Sequence, residues 1–300
     1  MIFFINFRRQ KFVGKIRFGY FDAVSADKVI VATENNVLAA LSSKTGDILW
    51  RRVLESENRG DVKFLHVNQN TKYVASQTAS NSNPFEVITV TGHNPALVRG
   101  WDLNNGNLAW EWSLVPTNPE NSVNSLWFFK DTNIYHVLPV WNSHIELTEY
   151  QANTGHQTKP TTTKITAGWI AADQCVLTMN YFACTSKDQL LVLDLLAIKS
   201  SVQTKTLDSV DSKIKNINGQ GGFVQVGRQV ISMADLSVVL EDKSNSDLYM
   251  DANVIQVAQA KKVCSLPTKY VFHVIHLILF ILLFRVSKSQ LLIQQVVIWN

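Results

Sequence analysis

Short apolar stretches alternate with turn residues along most of the chain. β-Branched and small apolar residues fill positions 29–33 and again 37–41. The Asn-Asn pair at 35–36 separates these two runs, and asparagine tolerates the positive φ of a tight hairpin turn. Another turn, at 44–47, leads into a third apolar run. Because no helical period of apolar residues competes with this pattern, it predicts an all-β chain of short antiparallel strands.

One motif recurs along these strands: an apolar residue, a Gly five positions later, and a Trp four positions after that Gly. The motif residues of two complete copies and one partial copy are Gly46, Trp50, Gly106, Trp110 and Gly155. The partial copy has Lys159 where the Trp would stand. A fourth copy, at 190–194, keeps the apolar strand without the Gly, and 221–232 predicts a further hairpin.

The physical chemistry of a strand and its turn explains the spacing of this motif. A strand ends, Gly takes the positive φ of the turn, and the next strand begins with a large aromatic side chain. Such a Trp can pack between neighbouring four-stranded blades. Repeats of about 40–60 residues of this kind indicate a β-propeller of quinoprotein (PQQ-like) repeats. We expect about four to five blades within residues 11–260, which make an incomplete ring.

Two stretches of the chain resemble one known family. Residues 11–55 contain Val-Gly-Lys at 13–15 and Thr-Gly-Asp-Ile-Leu-Trp at 45–50. Residues 89–112 contain Arg-Gly-Trp-Asp at 99–102. Both resemble the luminal beginning of the first subunit of the ER membrane protein complex.

The resemblance implies a propeller on the luminal side of the endoplasmic reticulum membrane. The function it implies is that of a non-catalytic scaffold in a complex that supports insertion and folding of transmembrane proteins. The partners it implies are the other subunits of that complex and its membrane-protein clients. It implies no nucleic acid, no small-molecule substrate and no cofactor.

The two ends of the chain depart from the family pattern. Residues 1–10 are an atypical N-terminus, since the charges follow the apolar residues instead of preceding them as in a secretory signal. Residues 261–300 form an apolar tail, in which 271–284 is either a membrane segment or a buried strand or helix pair. We therefore expect a gene model that lacks parts of a longer family member, and a poorly stable product.

Two of the three cysteines lie symmetrically about a candidate hairpin turn. If Met179-Asn180 is a two-residue loop, then Cys175 faces Cys184 at a non-hydrogen-bonded pair, where side chains come closest. That geometry permits a cross-strand disulfide, which a luminal location would favour. Two buried free thiols are the alternative. Cys264 lies in the tail and is expected to be unpaired.

Composition and motifs argue against most other classes of function. The net charge is +4, and no basic stripe with interleaved aromatic residues indicates nucleic-acid binding. The chain contains no phosphate-binding loop, hydrolase elbow, zinc signature or Cys-x-x-Cys pair. The seven histidines are scattered, and we expect surface or core roles for them. The sequence therefore predicts no catalytic, cofactor-binding or metal-binding residue.

Two alternative functions stay open at this point. The first is a generic soluble propeller that binds other proteins outside any membrane complex. The second is a fragment of a quinone-dependent dehydrogenase, since those enzymes share this repeat type. Such enzymes need a full ring of about eight blades around the quinone, which about four or five blades cannot supply.

Overall fold

A computed structural model describes residues 13–22, 27–55, 60–68, 86–115, 121–197, 201–207, 213–216, 222–241, 247–251, 254–259 and 262–267. Within these residues the fold is all-β, as the hydrophobic pattern predicts, with a short 3-10 helix at Asn121–Asn124. The strands are β1 (Ile16–Phe21), β2 (Lys28–Thr33), β3 (Val37–Ser42), β4 (Ile48–Val53), β5 (Val62–Asn68), β6 (Glu86–Thr91), β7 (Ala96–Asp102), β8 (Leu108–Leu114), β9 (Leu126–Lys130), β10 (Asn133–Val140), β11 (His144–Gln151), β12 (Thr163–Thr166), β13 (Cys175–Thr178), β14 (Tyr181–Ser186), β15 (Gln189–Asp194), β16 (Val202–Thr206), β17 (Ile214–Asn216), β18 (Phe223–Val226), β19 (Gln229–Ser232), β20 (Val238–Glu241), β21 (Asp247–Asp251), β22 (Val254–Gln259) and β23 (Lys262–Pro267).

These strands form antiparallel meanders of the propeller-blade type. The first blade is β1–β4, the second β5–β8, the third β9–β12, the fourth β13–β16 and the fifth β17–β20, while β21–β23 form a three-stranded sheet. In each meander every strand pairs with its neighbour in the chain. The chain divides into two compact units: the first two blades belong to one unit and the remaining sheets to the other.

Burial explains why the strands are easy to recognise in the sequence. In the first two blades the second and third strands are buried almost throughout, and β2 and β3 are accordingly almost continuous apolar runs. The fourth strands are more exposed; β4 buries Trp50 but leaves Leu49 and Val53 exposed. Neighbouring blades within a unit share apolar cores, between blades one and two, three and four, and four and five.

Some predicted features lie outside the described residues. These are the atypical N-terminus at 1–10 and the apolar segment at 271–284. Among the residues that the structure describes, no helix has both the length and the apolar character needed to span a membrane. Cys264 lies in β23, opposite Val257 in the register of the sheet.

The fourth blade contains a disulfide between Cys175 and Cys184. The two residues pair directly across β13 and β14, in the register that a Met179-Asn180 loop predicts. Their Cα atoms are 4.1 Å apart, near the roughly 4.5 Å of a non-hydrogen-bonded pair. Cys184 belongs to the core between the third and fourth blades, and Cys175 packs against that core. The bridge therefore links β13, the first strand of the fourth blade, to β14 beside the core that the third and fourth blades share.

Replacing both cysteines, Cys175→Ala and Cys184→Ala, is expected to lower the free energy of unfolding by about 2–3 kcal/mol, since a bridge that closes about ten residues restricts the unfolded chain. Thermal denaturation followed by circular dichroism measures the loss. Cys264→Ala is the matched control and should leave the melting temperature unchanged. If non-reducing peptide mass spectrometry finds both thiols free in the native protein, the bridge is absent.

Candidate functional site

The turns between third and fourth strands share one backbone geometry in four of the blades. In each, the first turn residue accepts a hydrogen bond from the N–H four positions on, and its own N–H donates to the carbonyl five positions on. The first, fifth and sixth residues of these turns are Ser42, Gly46, Asp47; Asp102, Gly106, Asn107; Gln151, Gly155, His156; and Ser232, Leu236, Ser237. The fifth residue has a positive φ in all four, between 58° at Leu236 and 74° at Gly46.

A side chain inside each turn strengthens the same geometry. The fourth turn residue accepts a hydrogen bond from the N–H two positions later. The accepting residues are Thr45, Asn105, Thr154 and Asp235. Because Ser, Thr, Asn and Asp all bond readily to nearby backbone, the turn tolerates exchange among them. The motif is therefore better preserved in geometry than in sequence.

The turn of the second blade is held by the fourth strand of the first blade. The Trp50 indole N–H donates to the Leu103 carbonyl at 3.0 Å. The Arg52 guanidinium donates to the carbonyls of Gly106, at 2.6 Å, and Asn105, at 3.1 Å. It also donates to the Asn107 side chain at 2.7 Å. An indole and a guanidinium two residues apart thus bind the carbonyls that this turn leaves free.

Close packing makes glycine necessary in this turn. A Cβ on Gly106 would lie 2.5 Å from Cε3 of Trp50, far inside van der Waals contact. The φ of Gly106 is +67°, which also disfavours an L side chain. Trp50 is buried in the core between the two blades. Steric fit and hydrogen bonding therefore both join these blades at Gly106.

A buried cation makes a second link between the first two blades. Arg99, on β7, forms a bidentate pair with Glu55, which follows β4, and a further ion pair with Glu111 on β8. Burial by itself would lower the pKa of Arg99, but hydrogen bonds and charge from Glu55 and Glu111 raise it above its usual value. The guanidinium therefore stays charged, and its loss would leave two carboxylates without their cation.

Trp110 makes different interactions from Trp50 despite the same place in the motif. Its ring lies over Gly100 of its own sheet, where a Cβ would come within 2.2 Å of the indole. Its N–H donates to the carboxylate of Glu86 on β6. Burial raises the pKa of Glu86 from its ordinary 4.5 to about 7, although the bond from Trp110 lowers it. This pair is a structural contact inside the blade, with a carboxyl group that titrates near neutral pH.

The fifth blade shows what happens where no Trp precedes the turn. β16 of the fourth blade has Gln203 opposite Val192, the place that Trp50 takes opposite Ala40 in the first blade. The following turn carries Leu236, not Gly, at the residue with positive φ. Leu236 packs against the core that the fourth and fifth blades share. A large residue in the turn thus occurs where the preceding strand offers no indole.

The third and fourth blades show the same relation between the absence of Trp in one blade and the absence of Gly in the turn of the next. Lys159 stands at the Trp position of the third blade and pairs with Glu149 of its own sheet at 3.3 Å. The fourth blade that follows has Asp194 at the start of its turn, with an N–H from Leu196 bonded to its carboxylate. Four residues after Asp194 the sequence has Ile198, not Gly.

The structure brings some of the predicted repeat residues together and leaves others apart. Trp50 and Gly106 are in direct contact, whereas Trp110 contacts its own blade and Gly155 occupies the expected turn position. The roles of Arg52 and Arg99 are not predicted from the sequence. Two features of the sequence could have indicated these roles. One is the basic residue two positions after Trp50, and the other is the arginine that follows the apolar residues 96–98.

His136 is a titratable residue with structural partners. The pKa of His136 is lowered from 6.5 to about 4 by burial, against a smaller opposite effect of Glu146. Its Nε2 lies 2.8 Å from the Ser125 hydroxyl and its ring 4.6 Å from that of Trp127. No group of three potential ligands suited to a metal ion occurs within the described residues.

Comparison with known proteins relates the N-terminal part of the chain to one family. Residues 8–138 match the family model described as EMC1 N-terminal beta-propeller domain. ER membrane protein complex subunit 1 of Xenopus laevis is 38% identical over 109 residues, which are 36% of this chain and 9% of that protein. The Gallus gallus protein of the same name is 33% identical over 107 residues, 35% of this chain and 9% of that protein. The matched part is therefore about a tenth of these relatives' length.

A solved structure is similar in fold. Raptor from Chaetomium thermophilum superposes with a TM-score of 0.53 at 12% identity, covering 85% of this chain and 24% of that one. At that identity the similarity concerns the fold alone.

Replacing Leu236→Gly is expected to lower the free energy of unfolding by about 1–2 kcal/mol. Relief of the positive φ favours the variant by about 1 kcal/mol, but the side chain lost from a shared core costs about 2–3 kcal/mol. Lys187 also has a positive φ, of 55°, but is exposed. Lys187→Gly is therefore the matched control and should be neutral or slightly stabilising in urea denaturation. A stabilised Leu236→Gly protein would contradict the packing role.

Glu86 is expected to make stability depend on pH near neutrality. Its pKa in the folded protein is above the unfolded value, so its contribution is full below pH about 4.5 and is lost as pH rises through about 7. Glu86→Gln keeps an acceptor for Trp110 but cannot ionise. The melting temperature of this variant, relative to the parent protein, should therefore increase from about pH 5 to about pH 8. Glu241→Gln, at an exposed position, should show no such trend; an identical difference for Glu86→Gln at both pH values would refute the prediction.

Proposed function

We propose, from the match of residues 8–138 to the family model described as EMC1 N-terminal beta-propeller domain, that this protein is a non-catalytic scaffold subunit of the ER membrane protein complex. Its propeller lies on the luminal side of the endoplasmic reticulum membrane. Its blades and loops bind the other subunits, and in this way support insertion and folding of transmembrane client proteins.

The observation that carries the proposal is the position of the family match. Residues 8–138 include the whole of the first two blades and both links between them, the Trp50–Gly106 contact and the Arg99 ion cluster. The residues similar to the family thus include those that set the geometry between blades. A rigid set of blades that presents loops is suited to binding several proteins at once.

The chemistry of the described side chains supports a scaffold role over catalysis. Arg99, Glu86 and His136 have displaced pKa values, and each is engaged by neighbours that hold a strand or a blade in place. Structural networks of this kind shift pKa values as active sites do. The disulfide of the fourth blade supports an oxidising compartment such as the lumen.

Affinity purification tests membership of the complex. An affinity tag is placed at the native locus, so that the protein is made as the cell makes it. Detergent-solubilised membranes are then purified and analysed by mass spectrometry, with an untagged strain as control. We expect the other ER membrane protein complex subunits in comparable amounts to the tagged protein. Purification of the tagged protein without any of them would refute the proposed membership.

Engineered glycosylation tests the luminal position independently. Asn142 is exposed in a turn, and His144→Thr creates an acceptor sequence Asn-Ser-Thr there. Lys187→Asn with Gln189→Thr creates a second acceptor in an exposed turn whose φ at 187 suits asparagine.

A luminal propeller should gain one endoglycosidase-sensitive glycan at each engineered position, seen as a shift in electrophoretic mobility. His144→Val, and Lys187→Asn with Gln189→Val, lack the hydroxyl that the transferase needs and should show no shift. If neither acceptor is modified while a luminal marker protein of the same cells is, the propeller faces the cytosol.

A further inference from the structure

The turn of the second blade contains an asparagine followed by a glycine, Asn105 and Gly106. An asparagine side chain cyclises most readily onto a following glycine, because glycine has no Cβ to hinder attack by its backbone nitrogen. The equivalent turns of the first and third blades have threonine before Gly46 and Gly155, and threonine has no amide. Among the described turns of this geometry that carry glycine, this reaction is therefore open to the second blade alone.

Cyclisation at this dipeptide would change the backbone itself. The Gly106 nitrogen gives up its proton and attacks Cγ of Asn105, so that a C–N bond forms. The bond from Cγ to the side-chain nitrogen breaks, and that nitrogen takes up a proton and leaves as ammonia. Water then opens the succinimide ring at either carbonyl carbon. One product has aspartate at 105, and the other is an isoaspartyl residue, whose main chain is one methylene longer.

Hydrogen bonds within the turn engage both reacting groups. The Gly106 N–H, whose nitrogen would be the nucleophile, donates to the Asp102 carbonyl at 2.8 Å. The side-chain oxygen of Asn105 accepts the Asn107 N–H, also at 2.8 Å. Asn105 is exposed and Gly106 is buried, so water reaches the amide while the nitrogen stays covered. The folded turn therefore holds the dipeptide in a conformation unsuited to cyclisation.

The first blade supplies the groups that keep this turn folded. Arg52 donates to the backbone carbonyls of both Asn105 and Gly106. The ring of Trp50 covers the Cα of Gly106, and its N–H binds the Leu103 carbonyl. The backbone on both sides of the reacting bond is thus fixed by side chains of the neighbouring blade.

We propose that Asn105 is a conditional deamidation site. It is protected while Trp50 and Arg52 hold the turn, and it reacts when the first two blades separate. The proposal rests on the contact between these blades and on the chemistry of the Asn-Gly dipeptide, and it is independent of the proposed complex.

The two products would affect the blade contact differently. Asp235 takes the place of Asn105 in the fifth blade, where its carboxylate accepts the N–H two positions later, so aspartate fits a turn of this kind. The isoaspartyl product lengthens the main chain and displaces Gly106 beneath Trp50. That displacement has no room, because even a Cβ on Gly106 would lie 2.5 Å from the ring. Blades that separate for long enough would therefore not regain the same contact.

Incubation of the full chain at mildly alkaline pH tests the protection. Peptide mass spectrometry measures deamidation at Asn105, and a protein isoaspartyl methyltransferase labels the isoaspartyl product. A second Asn-Gly pair, at 218–219, provides a reference in each sample. In urea that unfolds the protein, both pairs should react at similar rates. In buffer, Asn105 should react at least about tenfold more slowly than in urea. Equal rates at Asn105 in buffer and in urea would overturn the proposal.

Variants of the first blade test which contact protects the site. Arg52→Ala should raise the rate at Asn105 in buffer by about tenfold, since hydrogen bonds from a charged group shift an opening equilibrium by at least that factor. Arg51→Ala removes an exposed arginine one position earlier and is the matched control, which should leave the rate unchanged. Trp50→Phe keeps a ring but loses the N–H bond to Leu103, so it should also raise the rate.

The outcome is decided by comparison of these rates in proteins that melt cooperatively. If Arg52→Ala does not fold, Trp50→Phe against Arg51→Ala gives the same comparison. Rates at Asn105 that are the same in the parent protein, Arg51→Ala and the Trp50 or Arg52 variant would show that the neighbouring blade does not protect the site, and would refute the proposal.

Discussion

The fit of one indole against one glycine sets the relation between the first two blades. A four-stranded sheet covers its own backbone but leaves apolar faces that need a neighbour. Trp50 joins such faces while its N–H and the adjacent Arg52 satisfy carbonyls of the neighbouring turn. Because those donors match the turn only when the ring rests on Gly106, the packing also fixes register between the blades. Non-directional burial and directional hydrogen bonds thus act at the same point.

Charge has a related role beside this contact. Arg99 lies buried in β7 and is held by one carboxylate from each of the two blades. A buried ion cluster adds little net stability compared with apolar packing, but it penalises arrangements that separate the partners. The cluster therefore favours one alignment of the first two blades over other apolar alignments.

Strand positions and the turn motif were predictable from the sequence, but which contacts the motif makes was not. Apolar runs at 29–33 and 37–41 became β2 and β3 because both faces of these strands are covered. The fifth blade's turn escaped prediction, since Leu236 occupies a position where glycine was the signal. Arg99 escaped because its two carboxylates are 44 and 12 residues away in the chain. Local pattern reveals backbone conformation, whereas pairing over such distances depends on the fold.

The presence of Leu236 in place of glycine also constrains how such a chain can change by duplication. A copied blade inserted after the first one would bring its own turn to Trp50, and only a turn with glycine could accept the ring. The same copy inserted after the fourth blade would meet no indole and would leave a void where Leu236 now packs. Blades of this chain are therefore not interchangeable modules. A duplication that keeps the packing must therefore copy the fourth strand of one blade together with the turn of the next blade.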